Sequence, residues 1–168
     1  MWRWIGLGVG VLFLAIAVLW ILLVVSLRTK FSPALKAIRR LNRVFWNPRA
    51  MRVAGQPGAY ASVIHHLGRT SGRPYQTPVG AVGTDDGFVI GLPYGTTPDW
   101  LRNVIATGSA VIDDEGDTCH VEQPELVPAV EVNHYFSRKD QWIHRLYGVD
   151  QFLYVRRVRT GATVGDHP

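Results

Sequence analysis

Apolar residues run from Trp4 to Leu27 without a charged side chain, recur at helical spacing from Pro33 to Phe45, and beyond Gly58 alternate with polar ones at the two-residue period of sheet. The first run predicts a long apolar helix and the second an amphipathic one. In the third, Ala61 to Leu67 reads as a strand and Gln76 to Thr84 as another. Asp85-Asp86-Gly87 makes a hairpin turn, and Phe88 to Leu92 is its return strand. Asp99 to Thr107 reads as a short helix ended near Gly108. Ala110 to Asp114 and Thr118 to Val127 are strands flanking a Glu115-Gly116-Asp117 turn; Asn133 to Tyr147 is helical, and Gln151 to Arg159 is a last strand. About six strands with two short helices predict a mainly β (α+β) domain in the form of a small barrel. The expected parts are an apolar anchor over 1–30, a basic amphipathic helix and linker over 31–57, a barrel over 58–160 and a loose tail over 161–168.

The 24 residues from Trp4 to Leu27 would reach about 36 Å as a helix, against a hydrocarbon core of about 30 Å. A cleaved signal peptide is the competing reading, but Val24-Val25-Ser26-Leu27-Arg28 is not a clean cleavage pattern, so a retained single-pass anchor is expected. Trp2 and Trp4 suit the interface and Trp20 a membrane setting. Gly6 and Gly10 form a small-x-x-x-small pair through which a homodimer can pack. With 168 residues, one ordinary soluble domain fits after the anchor.

Charge is segregated. No acidic residue precedes Asp85, and eight basic residues lie between Arg28 and Arg52, against Arg3 alone before the span. The positive-inside rule then puts the C-terminal domain on the cytoplasmic side of the cell membrane. On the Pro33–Phe45 helix, Ala34, Leu35, Ala37, Ile38, Leu41, Val44 and Phe45 fall on one half and Lys36, Arg39, Arg40 and Arg43 on the other. Such a helix either lies on anionic membrane lipid or packs on the barrel with its basic face in water. A bilayer beside the charge explains the basic balance better than nucleic acid, which is not an expected partner. The single Cys119 cannot form an internal disulfide, and the six histidines show no metal-ligand spacing, so no metal is expected.

Two stretches carry the candidate chemistry. Gly68-Arg69-Thr70-Ser71-Gly72-Arg73-Pro74-Tyr75-Gln76-Thr77-Pro78 is a tight basic turn between strands, where glycines let backbone amides approach a ligand and Arg69 and Arg73 supply charge. Pro93-Tyr94-Gly95-Thr96-Thr97-Pro98-Asp99-Trp100-Leu101-Arg102-Asn103 opens a helix that Thr96 or Thr97 can cap, with Pro98 in its first turn and free amides that favour an anion. The plain alternatives are a solvated hairpin for the first and a capped helix with Trp100 in the core for the second.

Residues 50 to 160, through these motifs and their order, resemble the deazaflavin-dependent nitroreductase family. The resemblance implies a split β-barrel that uses reduced coenzyme F-420, with flavin mononucleotide or haem as other ligands of the fold. It implies cofactor contacts at Arg69, Thr70, Ser71, Gly72, Arg73, Tyr75, Thr77, Pro78, Tyr94, Gly95, Thr96, Thr97, Trp100 and Asn103. Family members often carry lysine where Thr70 stands and arginine where Tyr75 stands, which keeps a non-catalytic lipid or fatty-acyl-binding barrel as the alternative. The implied reaction is hydride transfer to a quinone-like or nitro-aromatic acceptor. Tyr147 is the candidate proton donor, with Tyr135 and His144 behind it, and simple packing on the barrel is their other reading.

Overall fold

The computed structural model describes residues 2–30 and 32–158. The expected tail from Gly161, and Arg159 at the end of the last expected strand, lie outside them. Helix α1 (Trp2–Arg28) leads to α2 (Ser32–Leu41), which passes through one wide π-helical turn (Asn42–Trp46) into a single α-turn, α3 (Asn47–Ala50). The barrel strands come next: β1 (Ser62–Leu67), β2 (Pro74–Val79), β3 (Ala81–Gly83) and β4 (Gly87–Gly91). Helix α4 (Asp99–Thr107) precedes β5 (Ser109–Asp114) and β6 (Asp117–Pro128). Then come α5 (Ala129–Val132), a 3-10 turn (Asn133–Tyr135), α6 (Arg138–Tyr147) and β7 (Gln151–Arg157).

All strand pairs are antiparallel, in the order β2-β1-β5-β6-β7-β4-β3. The two edge strands, β2 and β3, are separated in sequence by Gly80 alone. They are one strand bent at a glycine, so the sheet has to curl until its edges meet. Counted this way the sheet is a six-stranded split barrel, and the stretch expected as a single strand from Gln76 to Thr84 runs along both sides of the seam.

Antiparallel pairing also sorts the connections. The turn after β1, the loop after β4, α4, and α5–α6 all fall at one end of the barrel. The hairpins after β3 and β5 fall at the other. At that far end Glu115 and Gly116 have φ of 51° and 89°, the paired positive values of a two-residue hairpin, and Asp114 pairs Asp117 across it. Residues 51–61 pass down to this end. There Gly116 N–H donates to the Gly55 carbonyl at 2.7 Å, and Gly58 N–H to Glu115 Oε2 at 2.7 Å.

Alternation along β4 and β7 builds two cores. Phe88, Ile90, Leu153 and Val155 point into the barrel with Ile64, Ile112 and Leu101 and Val104 of α4. Val89 and Phe152 point outward, under Val132, Phe136 and Val149. This second core explains why the helix expected over Asn133–Tyr147 is broken. Phe136 adopts an extended backbone to reach the Phe152 ring, 5.3 Å away, and Ser137 then caps α6 by accepting the Asp140 amide at 3.2 Å.

Helix α2 and the turn after it differ from expectation in a similar way. Leu35 is buried, and Arg39 and Asn42, on the same helical face, turn inward with it. Leu41, Val44 and Phe45 stay exposed. The barrel accepts neither the whole apolar half nor the whole basic half of the helix.

Gly87 sits where β4 crosses β7, and a Cβ there would collide with the Val155 carbonyl group. Gly87→Ala should therefore cost about 3 kcal/mol, read from the midpoint of denaturant unfolding. A loss below about 1 kcal/mol would mean that the two strands are not held this tightly.

Candidate functional site

The basic turn is built from its glycines outward. Gly72, at φ 64°, closes it by donating to the Gly68 carbonyl at 2.7 Å, while Gly68 N–H donates to the Arg73 carbonyl at 2.8 Å. Helix α4 then fixes it in place. The Asn103 Oδ1 accepts from the Arg69 amide at 3.2 Å and from the Arg69 guanidinium at 2.9 Å. With its oxygen so committed, the Asn103 amide nitrogen faces His66 Nδ1 at 3.2 Å, and His66 Nε2 lies 3.3 Å from Thr77 Oγ1. His66 Nδ1 must therefore accept, which requires the neutral ring. Burial pushes its pKa below the ordinary value, and neighbouring His65 acts in the same direction. Tyr75 stacks on His66 with ring centroids 5.8 Å apart.

The second motif forms the loop after β4. Gly95, at φ 71°, donates to the Leu92 carbonyl, and α4 starts at Asp99 with Pro98 in the cap position. Neither threonine caps the helix, contrary to expectation. The Thr97 hydroxyl instead accepts from Arg39 at 2.6 Å. Trp100 packs against the barrel core, as expected of an ordinary capped helix. Asp99 receives Arg69 at 3.3 Å and Arg43 at 3.9 Å. The Asn42 amide donates to the Tyr94 hydroxyl at 2.5 Å. Burial raises the Tyr94 pKa; Asn42 opposes that rise and Tyr147, close enough to act electrostatically, adds to it.

Between α2 and this loop lies a cavity of about 290 Å³, lined by Lys30, Leu35, Arg39, Tyr94, Gly95, Thr96, Thr97, Asp150 and Gln151. A larger cleft of about 670 Å³ runs along β1, β5 and β6, with His65, Tyr75, Gln76 and His120 among its walls. In it His65 Nε2 meets Asp113 Oδ2 at 2.6 Å. Burial acts upward on the Asp113 carboxyl, but hydrogen bonds from Thr118 and His65 outweigh it and hold it below the usual range.

The expected residues thus divide. Tyr94, Gly95, Thr96 and Thr97 line the smaller cavity, whereas Tyr147 packs against the outer core and reaches Tyr94 only electrostatically. Thr70, Ser71, Gly72 and Arg73 form the exposed tip of the turn, and among the described residues no hydrogen bond or ion pair engages the Arg73 guanidinium. Asn103, Thr77 and Arg69 serve first to hold the turn, and Pro78 pairs Val63. His144 Nδ1–H donates to Asn133 Oδ1 at 2.8 Å and the ring is wedged edge-on against Phe136 and Phe152; burial lowers its pKa, with Asp140 opposing. Tyr135 is exposed against the His134 ring. Lys30, Arg39, Asn42, Arg43 and Asp99 belong to the site without having been expected there from sequence. The only signal for the helix residues was their i, i+3, i+4 spacing on what looked like a solvated face.

Four cationic side chains, Lys30, Arg39, Arg43 and Arg69, therefore gather around one loop, with Arg73 at the exposed turn beside them. This donor set fits an anionic, phosphorylated coenzyme. The model of the F420H(2)-dependent quinone reductase family matches residues 40–158. The chain belongs to that family. As a member it is a reductase of the coenzyme F-420 type, and the non-catalytic reading falls. Among solved structures it is similar to "F420-H2 Dependent Reductase (FDR-A)", at 15% identity and TM-score 0.47 over 58% of this chain and 94% of that one. It is also similar to an FMN-binding protein from Syntrophomonas wolfei, at 14% identity and TM-score 0.38 over 74% and 93%. Among curated proteins none matches.

His66 and His144 are both held below the ordinary histidine pKa, so below about pH 6.5 the unfolded chain takes up protons that the fold refuses. Stability is full above that pH and falls as pH drops through the folded values. Thermal melting should therefore decline between about pH 7 and pH 5, and His66→Gln with His144→Gln should flatten that decline. Arg73 has no partner to lose among the described residues, so Arg73→Ala is a clean probe of charge. It should weaken coenzyme F-420 binding about 10- to 100-fold in a fluorescence titration of the full chain; an unchanged Kd removes Arg73 from the site.

Proposed function

We propose that this F-420-dependent reductase is tethered to the cytoplasmic face of the cell membrane by α1 and reduces a quinone-like acceptor carried in the lipid. The supporting observation is positional. Lys30 lines the cavity beside Tyr94, and it lies two residues beyond the end of a 21-residue apolar stretch, Gly8–Arg28, long enough to cross a bilayer. We assign residues 1–30 to the anchor, 31–57 to a juxtamembrane segment and 58–160 to the barrel.

In this reading the cations of the loop and turn hold the acidic part of the coenzyme, which when bound supplies hydride to the acceptor. The chain's own contribution is positional and electrostatic. Asn103 and Asp99 pre-set Arg69, so less side-chain freedom is lost on binding. Helix α2 forms one wall of the cavity through Leu35 and Arg39. Tyr94, kept protonated by burial, and Tyr147, near enough to act on it electrostatically, are the hydroxyls we assign to proton donation to a reduced acceptor oxygen.

Full-length protein in lipid vesicles, supplied with reduced coenzyme F-420 and a long-chain naphthoquinone, should turn over. Tyr147→Phe should lower kcat about 100-fold with coenzyme affinity intact, whereas exposed Tyr135→Phe should change little. Equal losses in the two variants would sink the assignment of Tyr147, and no turnover by the wild type would sink the choice of acceptor.

A further inference from the structure

The segment that walls the cavity has a second face for which the barrel offers nothing. Leu41, Val44, Phe45 and Trp46 are 53%, 56%, 53% and 66% exposed, four large apolar side chains within six residues. At 100° per residue Leu41 and Val44 already lie about 120° and 180° around the helix from Leu35. The extra residue of the π-helical turn over Asn42–Trp46 then carries Trp46, which a regular helix would bring back to about the Leu35 line, off the barrel as well. The polar side chains of the same segment grip the site: Arg39 at Thr97, Asn42 at Tyr94, Arg43 at Asp99.

The surroundings of this ridge identify its occupant. Lys36, Arg40, Arg43 and Arg49 flank it, all exposed, and no acidic residue occurs anywhere before Asp85. Leu41 lies thirteen residues beyond Arg28, the end of the apolar helix, which is at most about 20 Å along a helix. An apolar ridge edged by long basic side chains with an indole at its end has the composition of a helix lying in a bilayer interface. A protein partner for the same surface would have to be strongly acidic and to share the space beside the anchor.

We propose that Leu41, Val44, Phe45 and Trp46 are seated in the interfacial layer of an anionic leaflet, so that the helix walling the cavity runs into a membrane-embedded element and the acceptor reaches Tyr94 from the lipid side. This rests on the tethered-reductase reading. It adds that the barrel is held against the bilayer in one orientation, motif end down, with the hairpin at Glu115–Gly116 farthest from it.

The test is a depth measurement on the full chain in vesicles of phosphatidylcholine and phosphatidylglycerol. Single cysteines, Leu14→Cys, Val44→Cys and Asp117→Cys in a Cys119→Ser background, carry an environment-sensitive fluorophore. Nitroxide-labelled lipids and aqueous iodide serve as quenchers. Residue 44 should lose fluorescence to a nitroxide high on the acyl chain and be shielded from iodide. Residue 14 should respond to a nitroxide near the bilayer centre, and residue 117 to iodide alone. Quenching at 44 should fall when phosphatidylglycerol is left out; no change would overturn the anionic part. Residue 14 in lipid with residue 44 open to iodide overturns the embedded ridge and leaves the tether standing. Residue 14 open to iodide overturns the tether itself and this inference with it.

Discussion

The barrel depends on one covalent constraint: the two edge strands of its sheet are the same strand, bent at Gly80. Because β2 cannot leave β3, the sheet is forced to close, and closing it creates the interior that Phe88, Ile90, Leu153 and Val155 fill. Closure also fixes which connections share an end. The basic turn after β1 and the loop after β4 lie far apart in sequence pairing yet meet under α4, where Asn103 and Asp99 join them through Arg69. The second core, outside the sheet, does the same for α5 and α6. Phe136 breaks the helix to enter it, and that break sets the line along which α6 lays Tyr147 against the same core.

Much of this was legible in the sequence because it is local. Alternating burial gave the strands within a residue or two, Gly108 ended α4 where expected, and Asp85-Asp86-Gly87 and Glu115-Gly116 turned the chain as their backbone preferences require. The two motifs pointed to a turn and a loop that the structure does bring together, through Arg69 on Asn103 and Asp99. What stayed hidden is what tertiary packing decides. Nothing in Pro33–Phe45 announces that Leu35, Arg39 and Asn42 make the inward face, because helical periodicity predicts a clean apolar half. Arg69 looked like a ligand cation, but a side chain with an Asn and an Asp within reach is first a structural one. Thr97 reads as a helix cap until Arg39 is found taking its hydroxyl.

The site is thus assembled from two sources with different electrostatic histories. The turn and loop belong to the barrel, whose later half carries the acidic residues; α2 and the π-helical turn after it carry basic residues and no acidic one. Asp99 is where they meet, accepting one arginine from each. One carboxylate thus holds two arginines from different parts of the chain near each other, against their mutual repulsion.

The position of β7 has a consequence for how the chain comes to be folded. β7 follows the other described strands along the chain, yet it lies between β6 and β4, and without it the sheet is two fragments joined by the bend at Gly80 and by the α4 connection. β4 is made well before β7, so its open edge waits until Gln151, 60 residues beyond Gly91, has been added. Until residues 151–157 are released, the facing edges of β4 and β6 stay unpaired, and an unpaired edge is a template for a neighbouring chain. The order of the strands along the chain thus makes β7 both the closing piece of the sheet and the cover for two edges that would otherwise pair with the wrong molecule.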